Sequence, residues 1–395
     1  MAEKRPTILQ IIPELDTGGA ELSTIEIAGA VQDAGGRAIV LSEGGRLVQR
    51  LRDVGAELEF FAAASKNPVR LLWNAHAIAK IIRREGVDLI HARSRAPAWS
   101  AFIAARRTGI PFVTTYHGAY SEKTAIKRLY NSVMARGDLV IANSHYTADL
   151  IRMRYGTPSS HLRVIYRGLD EESYDPQGVT PDRVAALRQA WGITENQRVV
   201  LHAARLTGWK GQTVVIEAAR LLNEAKKLQD AVFILAGDAQ GRSGYLADLL
   251  RRIRTANLEG RVRLVGHVHD IPAALLAAHA AVVASTEPEA FGRAATEAQA
   301  LGTPVIATDI GAPPETVLSP PRFAADRATG WLIPPSDPQR LADAVSAALS
   351  LSPDARAAMG ARARAHVTSK FSLAAMKEQT LKVYDELLGT SLAKN

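Results

Sequence analysis

The sequence predicts an α/β protein made of two Rossmann-like domains, each with a doubly wound parallel sheet. Short apolar runs of strand length recur along the chain, and segments with apolar residues at helical spacing lie between most of them. The runs are continuously apolar rather than alternating, which is typical of parallel strands covered by helices on both faces. They fall into two series, and this division predicts two domains.

The two series of strand-like runs lie on either side of a stretch rich in turn residues. The first series comprises 7–12, 38–41, 58–61, 88–90, 112–115, 139–142 and 164–166. The second series comprises 199–202, 232–236, 262–265, 281–284 and 304–308. Helical spacing is clear between strands, for example in Leu22, Ile25, Ala28 and Val31 after the first run.

The length of the chain agrees with this division. At 395 residues it is too long for one ordinary core and fits two domains of common size. We predict an N-terminal domain over 1–175, a linker over 176–197 and a second domain over 198–370. No strand follows the helical stretch in 371–395, so that stretch is expected to pack back across the domains.

Composition excludes several classes of function. The chain is 47% hydrophobic and 22% charged, which is typical of a soluble globular protein. It contains no cysteine, which excludes disulfides, thiol nucleophiles and cysteine-ligated metals and fits a reducing compartment. The apolar run 8–12 is too short for a signal peptide, and 273–284 is too short for a membrane span. We therefore expect a cytoplasmic protein.

Positive charge is concentrated in one part of the chain. The net charge is +8, and residues 91–167 alone hold 12 Lys or Arg against 3 acidic residues. Such a surplus is either a solvated face or a binding surface for anionic lipid or an anionic glycan. Nucleic acid ranks last, because no nucleic-acid module accompanies the charge.

Within this basic region, 121–136 is expected to form an amphipathic helix. Its apolar positions are Ile126, Leu129, Tyr130, Val133 and Met134, opposed by Lys123, Lys127 and Arg128. Such a helix either lies on an anionic membrane surface or packs into the core with a wet basic face. The membrane alternative predicts peripheral association.

Polar residues collect where the predicted strands end. Gly18-Gly19 follow the first run, His117 ends the fifth, and Arg205 follows the first run of the second series. Ligands of open parallel sheets bind beyond the carboxyl ends of the strands. Because candidate ligand-binding residues lie at one edge of each domain, we predict that the two domains face each other across a cleft.

The string from Glu289 to Glu297 carries the strongest local signal. A helix is expected to begin near Phe291-Gly292 and to end near Gly302. Its free N–H groups suit a phosphate. The two carboxylates lie before the helix and in its second turn, where both can accept hydrogen bonds from hydroxyls of one ligand. Ordinary surface glutamates are the alternative.

Cations and a histidine complete the candidate set. Arg205 and Lys210 follow a strand and precede a helix, so they can clamp a diphosphate leaving group unless they are simply solvated. Gly18-Gly19 allow backbone to approach an anion, although a tight turn explains them equally well. His117 can bond a sugar hydroxyl or assist a proton, and a buried, satisfied histidine is the alternative.

Several common cofactor motifs are missing. The sequence has no G-x-G-x-x-G after its first strand, no P-loop, no H-E-x-x-H and no D-x-D pair. We therefore expect no bound cofactor and no metal requirement.

These residues together resemble the retaining glycosyltransferases of family 4, which have the GT-B fold, over essentially the whole chain. The resemblance rests on Gly18-Gly19, His117-Gly118, Arg205, Lys210-Gly211, Glu289, Phe291-Gly292, Glu297, Gly302-x-Pro304-Val305, Gly311, Glu315 and 331–335. It implies an acceptor-side N-terminal domain and a donor-binding second domain. The chain departs from the family pattern at Arg93, where histidine is common, and at Arg167, where asparagine is common.

The resemblance implies a role for each matched residue. Arg205 and Lys210 would neutralise the donor diphosphate, which Gly18-Gly19 would meet from the N-terminal side. Glu297 would hold the ribose, and Glu289 with the Phe291-Gly292 backbone would bind the donor sugar. His117 would lie near that sugar, and main chain around His267-Val268 would read the base.

The reaction that the resemblance implies is transfer of a hexose-type sugar from a UDP- or GDP-linked donor with retention of configuration. The expected acceptor is a glycan or lipid-linked glycan of lipopolysaccharide, capsule or exopolysaccharide assembly. A nucleotide-sugar 2-epimerase or phosphorylase of the same fold, or a non-catalytic sugar-nucleotide-binding module, are the alternatives.

Overall fold

A computed structural model describes residues 5–16, 18–65, 67–120, 122 and 124–394. The chain divides into two compact units. The first contains the chain up to Gly168 together with the stretch from Leu373 onward, and the second runs from Leu169 to Ser372. We consider each unit by itself.

The first unit contains a parallel sheet of seven strands within the described residues, in the order β3-β2-β1-β4-β5-β6-β7. The strands are β1 (Thr7–Ile11), β2 (Arg37–Ser42), β3 (Glu57–Phe60), β4 (Leu89–Ala92), β5 (Phe112–Tyr116), β6 (Leu139–Ala142) and β7 (Leu162–Val164). The strand order reverses between β1 and β4, where ligands of doubly wound sheets bind.

Helices cover both faces of this sheet. They are α1 (Gly19–Asp33), α2 (Val48–Asp53), α3 (Pro68–Glu85), α4 (Arg95–Thr108), α5 (Ala125–Ser132), α6 (His145–Tyr155) and α15 (Leu373–Leu388). One core packs α3, α4 and α6 on one face, and a second packs α1 and α15 on the other. Helix α15 thus returns the end of the chain to the first unit, where Tyr384 is fully buried.

The second unit contains a parallel sheet of six strands within its described residues, in the order β10-β9-β8-β11-β12-β13. The strands are β8 (Arg198–Ala203), β9 (Ala231–Ala236), β10 (Val262–Gly266), β11 (Ala278–Val283), β12 (Val305–Thr308) and β13 (Gly330–Ile333). Here the order reverses between β8 and β11. The prediction of two doubly wound parallel sheets is therefore confirmed.

The helices of the second unit pack on both faces of its sheet. They are α7 (Pro181–Ala190), α8 (Gln212–Glu224), α9 (Ser243–Thr255), α10 (Ile271–Ala277), α11 (Arg293–Ala300), α12 (Pro313–Thr316), α13 (Pro338–Leu349) and α14 (Pro353–Lys370). None of the helices in the described part of the chain combines the length and apolar composition needed to cross a bilayer.

The structure differs from the predicted domain boundaries around 176–197. This stretch lies inside the second unit and contains α7, which begins with a proline at its first turn. Trp191 and Ile193 anchor it because both are buried in the core of that unit. Turn residues near Gly178 therefore mark the entrance to a packed helix rather than a linker, and the chain passes between the units at Gly168–Leu169.

Two strand predictions also differ. The last strand of the first unit is Leu162–Val164 rather than 164–166, because the chain leaves the sheet at Ile165. The strand β13 was not predicted, since its four residues run directly into Pro334-Pro335.

The amphipathic helix at 121–136 is shorter than predicted and faces differently. Helix α5 is followed by a 3-10 turn over Val133–Ala135. Val133 and Met134 are buried, but Ile126 is 82% exposed and Leu129 59% exposed. The first turns of the helix are therefore exposed, and the chain becomes buried only from Asn131 onward. Lys123, assigned to its polar face, lies outside the described residues.

Candidate functional site

The candidate site of the second unit lies where the central strands β8, β9 and β11 end. Gly211 has a positive φ of 78°, and a Cβ there would lie 1.9 Å from the carbonyl oxygen of Ala284. A Cβ on Gly237 would lie 1.9 Å from the carbonyl oxygen of Ala204. Glycine is required at both positions because the loops after neighbouring strands are in backbone contact.

Lys210 and Glu289 meet at this edge. The ammonium of Lys210 is ion-paired with Oε1 of Glu289, and 19% and 12% of their side chains are exposed. The hydroxyl of Ser285 donates to the same Oε1 at 2.6 Å. The Lys210 ammonium also lies 4.2 Å from the centre of the Trp209 ring. The predicted phosphate-binding lysine and sugar-binding glutamate are therefore in direct contact.

Arg205 is the exposed cation of the same loop. Its guanidinium makes no hydrogen bond or ion pair to the described residues. Its carbonyl accepts a 2.9 Å hydrogen bond from Nε2 of Gln212, a fully buried side chain at the start of α8. The loop backbone is thus held in place while the charge stays available to a ligand.

The predicted helix after Glu289 is confirmed as α11. Gly292 is its N-cap residue, with a φ of 84°, and Phe291 is buried against the ring of Phe371. The carbonyl oxygen of Glu289 accepts a hydrogen bond of 2.9 Å from the amide of Ala312. This backbone bond fixes the position from which the Glu289 carboxylate projects.

Glu297 lies on α11 beside groups that sequence reasoning missed. Only 15% of its side chain is exposed, and Nε of Arg293 lies 3.0 Å from its Oε1. Burial raises the pKa of the Glu297 carboxyl, while the charge of Arg293 and a hydrogen bond from Tyr174 oppose that shift. Arg293 could have been found from its i, i+4 spacing to Glu297. Tyr174 could not, because it lies far away in sequence.

The residues assigned to the base follow β10. His267 is exposed, Val268 is 8% exposed, and the ring of His267 makes an edge contact with that of His269 at 4.4 Å between centres. The main chain at this position borders the same sheet edge as Gly237, whose amide donates to the carbonyl of Gly266 at 2.7 Å.

In the first unit, Arg167 brings the glycine turn and the histidine together. Its guanidinium donates to the carbonyl oxygen of Gly19 and, at 2.7 Å, to Nδ1 of His117. Gly18 caps α1 with a φ of 156°, and its absent Cβ would lie 2.4 Å from a carboxylate oxygen of Glu21. In the sequence, Arg167 stands out as a departure from the family pattern.

The contacts of His117 determine its protonation state. A guanidinium has no acceptor, so Nδ1 of His117 carries the lone pair and Nε2 carries the proton. Burial, followed by the charges of Arg167 and Arg93, holds the pKa of His117 well below its usual value. Its Nε2 is buried and has no hydrogen-bond partner among the described residues. His117 is therefore a neutral hydrogen-bond donor at physiological pH.

Metal-ligating side chains are dispersed. Within the described residues, no group of three or more His, Asp or Glu side chains is close enough to hold a metal ion. Arg205, Lys210, Arg293 and the two glutamates are among the charged residues at the sheet edge of the second unit.

Comparison with known proteins agrees with both units. The family model Glycosyltransferase Family 4 matches residues 17–173, and Glycosyl transferases group 1 matches residues 184–366. A solved glycosyltransferase from Rickettsia africae ESF-5 is 33% identical with a TM-score of 0.88, and the match covers 98% of this chain and 100% of that one.

Two further relatives are more distant. Anabaena HepE, solved in complex with UDP and glucose, is 28% identical with a TM-score of 0.83 over 97% of this chain and 100% of its own. The N-acetyl-alpha-D-glucosaminyl L-malate synthase of Bacillus anthracis is 26% identical over 326 residues, which are 80% of this chain and 78% of that protein.

The fold and the residues at the two sheet edges define a glycosyltransferase with the GT-B fold. The chain belongs to glycosyltransferase family 4.

Proposed function

We propose that this glycosyltransferase transfers a hexose-type sugar from a UDP- or GDP-linked donor to a glycan or lipid-linked acceptor with retention of configuration. The observation that carries the proposal is the contact of Lys210 with Glu289 beside Arg205 at the strand-order reversal of the second unit. The relative solved with UDP and glucose supports a nucleotide-sugar donor.

Each group at this edge matches one part of such a donor. Arg205 and Lys210 would neutralise the diphosphate, aided by the N-terminus of α11. Glu289 would accept hydrogen bonds from sugar hydroxyls, and Glu297 from the ribose. Main chain at His267 and Val268 would border the base, since it lies at the same edge of the sheet.

The proposed mechanism follows from the positions of these charged groups. As the glycosidic bond breaks, negative charge develops on the diphosphate, and preorganised cations directed at it lower the barrier. Glu289 is already bonded to Lys210 and Ser285, so its role is binding rather than nucleophilic attack. We favour front-face attack, in which the leaving phosphate accepts the proton of the acceptor hydroxyl. Fixed cations supply the neutralisation, so we expect no metal requirement.

His117 fits a supporting role in this reaction. Its protonated Nε2 can donate one hydrogen bond to an oxygen of a bound sugar, but its lowered pKa leaves it uncharged. We therefore assign it to sugar binding and not to proton transfer.

The outer surface of the first unit supports a lipid-linked acceptor. On α5, the exposed Ile126 and Leu129 lie beside the exposed Lys127 and Arg128. Apolar side chains flanked by cations suit an anionic bilayer. The apolar side chains can insert into it while the cations contact the lipid headgroups. We propose a cytoplasmic enzyme that binds peripherally to the inner face of the plasma membrane.

A second exposed apolar group extends this surface. Val69 and Trp73 on α3 are 76% and 66% exposed. Helix α4 connects the two groups, because Ser100 of α4 donates to the carbonyl of Leu71 in α3 and Trp99 of α4 donates to the carbonyl of Tyr130 in α5. Lipid-linked glycans of lipopolysaccharide, capsule or exopolysaccharide assembly are the acceptors that fit this arrangement.

The test is an anomer-resolved NMR assay with UDP- and GDP-hexoses and a bacterial membrane lipid extract as acceptor. The proposal predicts a lipid-linked product with the anomeric configuration of the donor, formed equally well in the presence of EDTA. An inverted product would contradict retention. A free epimerised sugar formed without acceptor would instead support the epimerase alternative, and binding without turnover would support a non-catalytic module.

A further inference from the structure

Two buried guanidinium groups of the first unit converge on one neutral oxygen. Arg93 follows β4 and is 3% exposed, and Arg167 follows β7 and is 8% exposed. Each donates a 2.8 Å hydrogen bond to the hydroxyl oxygen of Ser23 on α1. Two positive charges therefore meet at one hydroxyl group, at the edge of the sheet where the strand order reverses.

Arg93 has only neutral partners among the described residues. Besides Ser23, its guanidinium lies 3.4 Å from Nε2 of His91 and 3.4 Å from the hydroxyl of Thr115. Its Nε atom is buried and has no partner there. The electrostatic fields of Tyr384 and Glu26 raise the pKa of Arg93 and so oppose the effect of burial.

This cation remains charged despite its burial. Burial lowers the pKa of Arg93 to about 10, which leaves the group protonated at neutral pH. A buried charge normally has a counter-ion, because desolvation costs several kcal/mol that neutral hydrogen bonds repay only in part. The side chains in contact with Arg93 therefore do not neutralise its positive charge, and a bound anion would do so.

A pocket lies beside these groups. Its lining includes Ser23, Arg93, Thr115, His117 and Arg167, and its empty space is about 260 Å³, including the part open to solvent. Two residues of its lining each hold a buried nitrogen that has no hydrogen-bond partner among the described residues: the Nε of Arg93 and the Nε2 of His117. Both are hydrogen-bond donors, since the Nδ1 of His117 accepts from Arg167. Such a wall suits an anion with several acceptor oxygens.

We propose that the pocket formed by Arg93, Arg167 and His117 binds an anionic group, a carboxylate or a phosphate, carried by one of the enzyme's substrates. This inference rests on the proposed function and names a substrate class for it. The anionic group belongs either to the donor sugar, as in a uronic acid, or to the acceptor. Planar guanidinium groups bind either oxyanion with paired hydrogen bonds.

The experiment measures dissociation constants of matched ligand pairs by isothermal titration calorimetry on the full chain. The donor arm compares UDP-glucuronate with UDP-glucose. The acceptor arm compares glucuronate and glucose 6-phosphate with glucose, each in the presence of saturating UDP. The inference predicts that, in one arm, the anionic member binds at least about tenfold more tightly than its neutral counterpart, because charge-assisted hydrogen bonds replace neutral ones.

The variant Arg93→Gln tests whether this pocket causes the preference for the anionic ligand. The variant is predicted to reduce the anion preference to about one while leaving the dissociation constant of UDP unchanged. Arg136→Gln is the matched control: it removes an arginine of the same basic region that stacks over Trp99 and lies outside the pocket lining. It is predicted to leave the preference intact. Should Arg93→Gln fail to fold, Arg167→Gln is measured for the anion preference alone, because Arg167 also bonds to Gly19 and His117.

The outcomes separate this inference from the proposed function. No anion preference in either arm, or a preference that survives Arg93→Gln, overturns the inference while UDP binding still supports the proposed function. If UDP does not bind at all, the proposed function fails. Inorganic phosphate then decides the inference: at equal ionic strength it must raise the melting temperature relative to chloride in the wild type and must not do so in Arg93→Gln.

Discussion

The ammonium of Lys210 is ion-paired with the carboxylate of Glu289, so two residues assigned to different parts of the donor neutralise each other in the free enzyme. Glu289 also accepts from Ser285 and therefore stays oriented when the lysine turns toward a ligand. Arg205 is exposed and its guanidinium is not bonded to the described residues, so we expect it to be the first cation that an incoming diphosphate meets. We therefore expect donor binding to replace the ion pair between Lys210 and Glu289 by one between Lys210 and the leaving group.

Removing either cation is predicted to slow transfer strongly. Lys210→Ala and Arg205→Ala should each cost about 1.5–3 kcal/mol in kcat/KM, roughly tenfold to 150-fold, because each removes a charge-assisted contact to the leaving group. Lys227→Ala, at an exposed lysine after α8, is the control. Steady-state kinetics with the identified donor measure the effect, and wild-type rates in both variants would refute the clamp.

Glu297 is predicted to recognise the ribose. Its replacement by glutamine should raise the dissociation constant of UDP by about tenfold, since a hydrogen bond to a charged group contributes about 1.5–3 kcal/mol. The preference of the wild type for UDP over 2′-deoxy-UDP should disappear in Glu297→Gln. Glu217→Gln, at a surface residue paired with Arg220, should keep that preference. If Glu297→Gln kept the preference for UDP over 2′-deoxy-UDP, Glu297 would not be the residue that recognises the ribose.

Buried His202 is predicted to make the second unit sensitive to acid. Its Nδ1 donates to the carbonyl of Val282 at 2.8 Å, and its buried Nε2 has no partner among the described residues. Burial lowers the pKa of His202 from 6.5 to about 4. The unfolded chain therefore binds a proton that the folded chain does not, so stability falls as the pH drops from about 6.5 toward 4.

Thermal unfolding across this pH window tests the assignment. Acidification should lower the melting temperature of His202→Asn less than that of the wild type. The difference should correspond to the uptake of one proton on unfolding. His76→Asn, at an exposed histidine of α3, should show the wild-type slope. Equal slopes in wild type and His202→Asn would show that other groups account for acid sensitivity.

The exposed side chains of α5 are predicted to bind membranes. Ile126→Glu should weaken binding to vesicles of anionic phospholipid about tenfold or more, because insertion of an isoleucine side chain contributes about 1.5–3 kcal/mol. Leu250→Glu, an exposed leucine of the second unit, is the matched control. Vesicle sedimentation measures binding, and UDP affinity in solution should not change. Equal sedimentation of both variants would argue against docking through α5.

The fold was predictable because its signals are local. Apolar strand runs and helical spacing lie within short windows, and Gly292 and Gly302 mark the two ends of α11 in the sequence itself. The strand β13 escaped prediction since its four residues run directly into Pro334-Pro335. Helix α7 escaped because turn residues such as Gly178 precede a packed helix as readily as a linker.

The candidate site was predictable only in part, for a physical reason. The positions of Arg205, Lys210 and Glu289 follow from strand ends that a parallel sheet brings to one edge. The convergence of Arg93 and Arg167 on Ser23 joins residues from three distant parts of the chain, and no local pattern encodes it. Likewise, the apolar spacing in α5 does not show which of its apolar residues the core buries. The exposure of Ile126 and Leu129 was therefore not predictable from the sequence.

The central claim is that the second unit binds the diphosphate of a sugar nucleotide through Arg205 and Lys210. Calorimetric titration of UDP and of uridine on the wild type and on the Arg205→Ala, Lys210→Ala double variant tests it most directly. We predict that the wild type binds UDP about 100-fold more tightly than uridine and that the double variant binds both within about threefold. A double variant that keeps the wild-type ratio would contradict the account.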